Sequence, residues 1–139
     1  MNEQTNAKVS TSFWIVGAVG LVFNLMGCFN FISQLNADMV AAMPNSYQAL
    51  IEARPAWATA AFAVAVFGGA LGCVLLLLRK KYAIHVLGLS LAGAVAAQLP
   101  AIGNVELPLQ AWIGWMSQLL IGALLLWYAI WASGKRWLN

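Results

Sequence analysis

The sequence predicts an all-α membrane protein, an up-down bundle of four transmembrane helices that forms a single domain over residues 1–139. The first observation is composition: 63% of the residues are hydrophobic and 8% are charged, whereas about one quarter of a soluble domain is charged. The second is a set of four apolar segments, each long enough to cross a bilayer. The third is that the cations lie between these segments and not inside them.

The predicted spans cover about residues 13–35, 57–78, 82–101 and 110–131. The second span is the clearest, because no charged residue lies between Trp57 and Leu78. That length of helix rises about 33 Å, enough to cross the hydrocarbon core. The turn at residues 79–81 is so short that spans two and three must be antiparallel neighbours. Span three is rich in Gly and Ala, so we expect it to be the most buried helix.

The connection between spans one and two is long, and its pattern predicts a short amphipathic helix in this first outer loop. Tyr47, Leu50 and Ile51 share one face of that helix, whereas Gln48 and Glu52 lie elsewhere. A helix of this kind lies either on the membrane surface or on the mouth of the bundle.

The distribution of cations predicts the orientation of the bundle. Four crossings place both termini and the turn at residues 79–81 on one side. That side collects Lys8, Arg79, Lys80, Lys81, Lys135 and Arg136. The other side has Arg54 alone. Because cytoplasmic loops carry an excess of Lys and Arg, both termini are expected in the cytoplasm.

Four glycines are candidate helix-packing residues. Gly68 and Gly72 lie one turn apart on span two, and Gly88 and Gly93 lie on span three. Small residues let helix backbones approach closely. The short turn between these spans favours a contact within one chain, and a contact between protomers is the alternative.

Ionisable groups within the spans are nearly absent, and this excludes several classes of function. His85 is the one ionisable side chain inside a predicted span. Proton-coupled carriers, pumps and voltage sensors need charged or titratable groups at depth. A metal site needs several ligands at matching spacing, which one His with the distant Cys28 and Cys73 does not provide. With no nucleophile–base pair in view, we expect no enzymatic activity, no cofactor and no metal.

Neutral polar residues in the spans form the candidate site. They are Asn24, near the middle of the membrane, and Asn30, Gln34, Gln98 and Gln118 in the outer half. In one interpretation these amides bond to each other across helices, at about 0.6 kcal/mol each, and fix the packing register. In the other they line an outward-facing polar pocket with Trp57, Trp112 and Trp115 at its rim. Amides with aromatic faces suit a neutral polyol or sugar, although the three Trp residues are equally expected in an interfacial belt.

A family resemblance is carried by four stretches of the chain. They are Asn24-Leu25-Met26-Gly27, Met43-Pro44, residues 55–81 and Leu126-Trp127-Tyr128. On these residues the chain resembles a family of small bacterial four-span membrane proteins that automatic labels call "sugar transporter". The resemblance covers the first 80 residues well and the remainder loosely. It implies a location in the bacterial inner membrane.

Two functions remain open at this point. The first is transport or binding of a small neutral solute such as a sugar, and transport at this chain length would require a homo-oligomer. The alternative is a non-transporting accessory or structural subunit of a larger membrane assembly. The expected partners are membrane lipids and either a second copy or another membrane subunit. The net charge of +3 is explained by cytoplasmic loops beside anionic lipids, so no nucleic acid is expected.

Overall fold

A computed structural model of the chain describes residues 8–102 and 107–139. All regular structure in these residues is helical, and four of the helices are long and apolar enough to cross a membrane. The helices are α1 (Thr11–Leu35), α2 (Ala37–Ala41), α3 (Asn45–Ala53), α4 (Ala56–Leu77), α5 (Tyr82–Gln98) and α6 (Leu109–Gly134), and a 3-10 turn at Leu99–Ala101 extends α5. The predicted fold class, an all-α four-helix bundle, is confirmed.

The predicted spans correspond to α1, α4, α5 and α6, and the boundaries agree to within about three residues. The largest difference is at the end of α6, which continues from Trp131 to Gly134. The connection between α1 and α4 contains two short helices, and the second of them, α3, is the predicted amphipathic helix. Asn36 caps the first of them, because its side chain accepts hydrogen bonds from the Asp38 and Met39 backbone N–H groups at 3.0 and 3.2 Å.

The spans are arranged with α4 between α1 and α5, and with α6 packed on α5. Helices α1 and α6 make few contacts with each other, so the bundle is loosely packed between them. The central spans are also the most buried. In the most apolar stretch of each span, 33% of the residues are buried in α4 and in α5, against 22% in α1 and 11% in α6. Span three is therefore not the most buried helix, because α4 shares that position.

The seam between α4 and α5 depends on small residues. A Cβ at Gly93 would lie 2.8 Å from the Ala61 carbonyl oxygen, and one at Gly72 would lie 2.6 Å from Leu87 Cδ2. Gly68 lies against Ser90, with 3.3 Å between the two Cβ positions. These glycines are therefore engaged within the chain. Gly88 differs from the prediction: a Cβ there would meet no atom within 4 Å, so Gly88 packs against no helix of the described chain.

The side chains of one end of the bundle form its hydrophobic core. We call this the terminal end, because it contains the start of α1, the turn at 79–81 and residues 134–139. Its buried core consists of Phe13, Cys73, Leu76, Ala83, Leu87, Leu125, Ala129, Ala132 and Leu138. Phe13 is fully buried, and its ring makes an edge contact with Trp137 at a centroid distance of 5.9 Å.

Two helices stop at the terminal end in the same way. Arg79 follows α4 with φ 60°, and Arg136 follows α6 with φ 59°. In each case the backbone N–H of the residue after this arginine bonds back to a carbonyl in the last turn of the helix. Lys80 N–H donates to the Leu75 carbonyl at 2.8 Å, and Trp137 N–H donates to the Ala132 carbonyl at 3.0 Å.

The last residues of the chain pair with the turn after α4. Asn139 N–H donates to the Arg79 carbonyl at 2.6 Å, and Lys81 N–H donates to the Asn139 carbonyl at 2.8 Å. Arg79 Nε also donates to the Trp137 carbonyl at 2.7 Å. These bonds join the turn between α4 and α5 to the segment after α6, and they close the terminal end.

The opposite end, which we call the loop end, is covered by α2 and α3. Leu50 of α3 is buried, and Gln48 Nε2 donates to the Met43 carbonyl at 2.8 Å, which fixes α3 on the preceding turn. The amphipathic helix α3 therefore lies on the mouth of the bundle, which is one of its two expected positions. This places α3 directly over the polar half of the spans.

Candidate functional site

A cavity of about 390 Å³ lies at the loop end, between α1 and α6 and beneath α3. Its volume falls within the range of about 300–1,000 Å³ that is typical of small-molecule sites. All five predicted amides line it: Asn24, Asn30, Gln34, Gln98 and Gln118. They come from α1, α5 and α6, so tertiary packing brings together residues that are far apart in sequence.

Helical spacing explains why these residues share one space. On α1, Asn24, Gly27, Asn30 and Gln34 recur at intervals of three or four residues and so follow one face. On α6 the lining residues Ala111, Gly114, Trp115 and Gln118 recur in the same way. The two faces oppose each other where the bundle is least closed. A Cβ at Gly114 would meet no atom within 4 Å, so the absence of a side chain there leaves space.

Asn24 forms the deepest part of the polar lining and has a structural role. Its Nδ2 donates to the Gly20 carbonyl at 2.8 Å and lies 3.8 Å from Cys73 Sγ. A Cβ at Gly69 would overlap the Asn24 side-chain oxygen, so the amide fits against α4 only because residue 69 is glycine. At this position the interpretation of amides as packing residues is supported.

The rim carries a connected set of polar groups. Arg54 Nη1 donates to Gln34 Oε1 at 2.8 Å, and Gln34 Nε2 donates to Asn30 Oδ1 at 3.4 Å. The Arg54 guanidinium carbon also lies 5.3 Å from the Phe62 ring centroid, a cation–π contact. Burial lowers the pKa of Arg54, but a guanidinium remains charged at neutral pH. The cavity therefore has one end with a fixed positive charge.

Gln98 is the buried amide without a partner. Its side chain is 7% exposed, and its Nε2 has no hydrogen-bond partner in the described part of the chain. An unsatisfied buried donor costs about 1–3 kcal/mol. The Nε2 atom is enclosed by protein, so Gln98 contributes to the cavity lining with the rest of its side chain.

Of the three tryptophans predicted at the rim, the structure places one at the cavity. Trp115 lines the cavity, whereas Trp57 and Trp112 do not. Trp57 is 55% exposed and Trp112 is 44% exposed, because the neighbouring Ala58 and Ala111 occupy the inward faces of their helices. Trp57 and Trp112 therefore lie on the outside of the bundle, where the belt interpretation applies.

Part of the lining comes from α3 and the residue that follows it, which the sequence pattern did not predict. Tyr47, Leu50 and Arg54 all line the cavity. From the sequence, Tyr47 and Leu50 were used to predict an amphipathic helix and Arg54 was used to predict the orientation. None of them was predicted to line a site. Two signals were present: Arg54 is the one cation on its side of the predicted topology, and the apolar face of α3 needs a surface to cover.

Comparisons with known proteins add no further assignment, since no family model, no curated protein and no solved structure matches the chain. Among residues 8–102 and 107–139, no three His, Cys, Asp or Glu side chains are grouped so that they could hold a metal ion. The fold itself defines the class: this is a multi-pass membrane protein with four apolar helices of spanning length.

Proposed function

We propose that this protein binds a small polar solute, such as a sugar or sugar derivative, in the cavity at the loop end and transports it across the membrane. The observation that carries the proposal is the convergence of the five amides on one cavity of about 390 Å³. Amides that only fixed the packing register would bond to each other in a dry interior. Of the five, Gln98 instead has an unpartnered buried donor, and Asn30 is exposed.

The lining matches a polar solute in chemistry as well as size. Amide groups both donate and accept hydrogen bonds, which suits a ligand with hydroxyl groups. Trp115 and Phe62 add aromatic faces against which the apolar side of such a ligand packs. The proposal assigns no enzymatic reaction to the chain.

The proposal places the protein in the bacterial inner membrane with both termini in the cytoplasm. Support comes from the cations at the terminal end, which mark the cytoplasmic side, and from the resemblance to the four-span family. In that orientation the cavity lies in the periplasmic half. A cavity within one small chain does not by itself provide alternating access, so we assign transport to a homo-oligomer.

The test is binding and uptake by a double variant, Asn30→Leu with Gln34→Leu. A panel of neutral sugars and sugar acids is screened by the rise in melting temperature of the purified protein, and each binder is then followed in proteoliposomes. We expect the double variant to lose binding and uptake. Gln110→Leu is the matched control, because Gln110 is an exposed α6 residue outside the cavity lining. Unchanged uptake by the double variant would refute the proposal.

The alternative function, a non-transporting subunit of a larger assembly, is favoured by one observation. Gly88 and Ala92 lie one turn apart on α5 and face outwards, and no atom lies within 4 Å of a Cβ at Gly88. Small residues on a lipid-facing surface are typical of contacts between membrane helices. The discriminating measurement is particle size in mild detergent. Two results together would support this alternative. A stoichiometric partner would co-purify with the wild-type protein and be lost from Gly88→Leu, and the cavity variant would keep its function.

A further inference from the structure

The charge of the cavity lining narrows the class of solute. Arg54 is the one side chain with a full charge among the described residues that line the cavity, and no carboxylate is among them. In the described part of the chain, its guanidinium contacts two neutral groups, the Gln34 amide and the Phe62 ring. No carboxylate pairs with Arg54 among residues 8–102 and 107–139, and a half-buried cation without a counter-ion is costly. The cavity is therefore electrostatically suited to an anion and unsuited to a cation.

The direction of the Arg54 side chain supports a role in binding. Arg54 follows the last residue of α3, where its guanidinium could bond back to the free carbonyls at the end of that helix. Instead it reaches across to Gln34 on α1, at the rim of the cavity. A guanidinium has five N–H donors, and the bond to Gln34 uses one of them.

A neutral amide lines the same cavity as Arg54. Gln98 on α5 is 7% exposed, and its Nε2 has no hydrogen-bond partner in the described part of the chain. The cavity wall therefore combines one guanidinium with uncharged amides from α1, α5 and α6. Such a wall suits a molecule with an anionic group and a neutral polar part.

We propose that the ligand of this cavity is a small organic anion whose carboxylate or phosphate oxygens pair with Arg54 and whose neutral polar part bonds to the amides of Gln34 and Gln98. This inference rests on the proposed function, and it replaces a neutral sugar with an acidic one or a compound of similar chemistry. Guanidinium groups match carboxylate and phosphate geometry with two parallel hydrogen bonds. The same chemistry is offered by a soluble anion and by an anionic lipid headgroup, so the experiment has an arm for each source.

The first arm compares D-glucuronate with D-glucose, which differ by a carboxylate at one carbon. Binding to the full chain in neutral detergent is measured by calorimetry. We expect glucuronate to bind at least about tenfold more tightly than glucose, because hydrogen bonds to a charged group are the stronger ones. Arg54→Gln should remove that preference and Arg54→Lys should keep part of it. Lys80→Gln, which removes an exposed charge at the terminal end, should change neither affinity.

The second arm compares phosphatidylglycerol with phosphatidylcholine of the same acyl chains, added to the same detergent-solubilised protein. A preference for phosphatidylglycerol that is lost in Arg54→Gln, without binding of glucuronate, supports the anion site with a lipid headgroup as its ligand. Circular dichroism and gel filtration of each variant separate loss of binding from loss of folding.

The outcomes distinguish this inference from the proposed function. If glucose binds as tightly as glucuronate, and Asn30→Leu with Gln34→Leu abolishes both, the solute site stands and the anion inference is wrong. If Arg54→Gln leaves every affinity unchanged, the inference is also wrong. If none of the four probes binds to the wild-type protein, both the inference and the solute site are rejected.

Discussion

The two ends of this bundle are built from the same four spans, yet one is filled and the other is hollow. At the terminal end, Phe13, Leu76 and Leu125 are buried in a continuous apolar core. At the loop end, the corresponding space between α1 and α6 is a cavity of about 390 Å³. The difference follows from side-chain size and polarity along the helices. Large apolar residues face inwards on the terminal side, and amides and glycines face inwards on the other.

The two ends also differ in how the chain is tied together. The terminal end has backbone hydrogen bonds between Asn139 and the turn at 79–81, together with the aromatic contact of Phe13 and Trp137. The loop end is held by side-chain bonds such as the one from Arg54 to Gln34. We therefore expect stability to depend mainly on the terminal end and ligand affinity mainly on the loop end. The predictions below test this division, from the largest expected effect to the smallest.

Replacement of Phe13 by Ala should have the largest effect on stability. Phe13 is fully buried and contacts both Tyr128 and Trp137, so truncation should lower the free energy of unfolding by about 3–5 kcal/mol. The measurement is denaturant unfolding in detergent. Ile15→Ala is the control, because Ile15 lies on the same helix and is 57% exposed. Equal losses of unfolding free energy in the two variants would contradict the division of roles between the two ends. A loss of ligand affinity in Phe13→Ala that is still folded would also contradict it.

Gly69→Ala should be the next most damaging change, because its Cβ would overlap the Asn24 side-chain oxygen. We expect a loss of about 1–3 kcal/mol in the free energy of unfolding, typical of overpacking. Adding Asn24→Ala should recover part of it, which a double-mutant cycle measures. Gly114→Ala is the matched control, since a Cβ there meets no atom within 4 Å. Strict additivity of the two changes would show that the residues do not interact.

Gln98→Leu should act in opposite directions on stability and binding. Removal of the unpartnered Nε2 from a buried position should raise the free energy of unfolding by about 1 kcal/mol. The same change replaces a polar amide in the cavity lining by an apolar side chain, so ligand affinity should fall. Thermal unfolding and calorimetry on one preparation measure both quantities. A less stable variant with unchanged affinity would show that Gln98 serves packing alone.

Ser90→Ala should have the smallest of these effects. Ser90 Oγ donates to the Ala65 carbonyl at 2.5 Å, across the seam between α4 and α5. Side-chain hydrogen bonds between membrane helices average about 0.6 kcal/mol, so a loss of that size in the free energy of unfolding is expected, with no change in ligand affinity. A loss larger than that of Gly69→Ala would mean that the seam depends on this bond more than on close packing.

Most of the fold was predictable from the sequence, and the candidate site was predictable in part. The amides were identified because polar residues stand out in apolar spans, and all five line the cavity. The side on which each aromatic residue lies was not predictable. Trp112 and Trp115 lie only three residues apart near the start of α6, but only Trp115 lines the cavity. Helix rotation is set by packing against neighbours, and hydropathy does not record it.

The sequence by itself determined the number and length of the spans and the position of each amide along them. The physical reason is local: a backbone in hydrocarbon satisfies its hydrogen bonds within a helix, so length and hydropathy define a span. Only the tertiary structure decided that α1 and α6 leave a cavity between them and that Arg54 lies at its rim. Those features depend on contacts between residues far apart in the chain, such as Arg54 with Gln34. The sequence determines the four spans, and their packing determines the cavity.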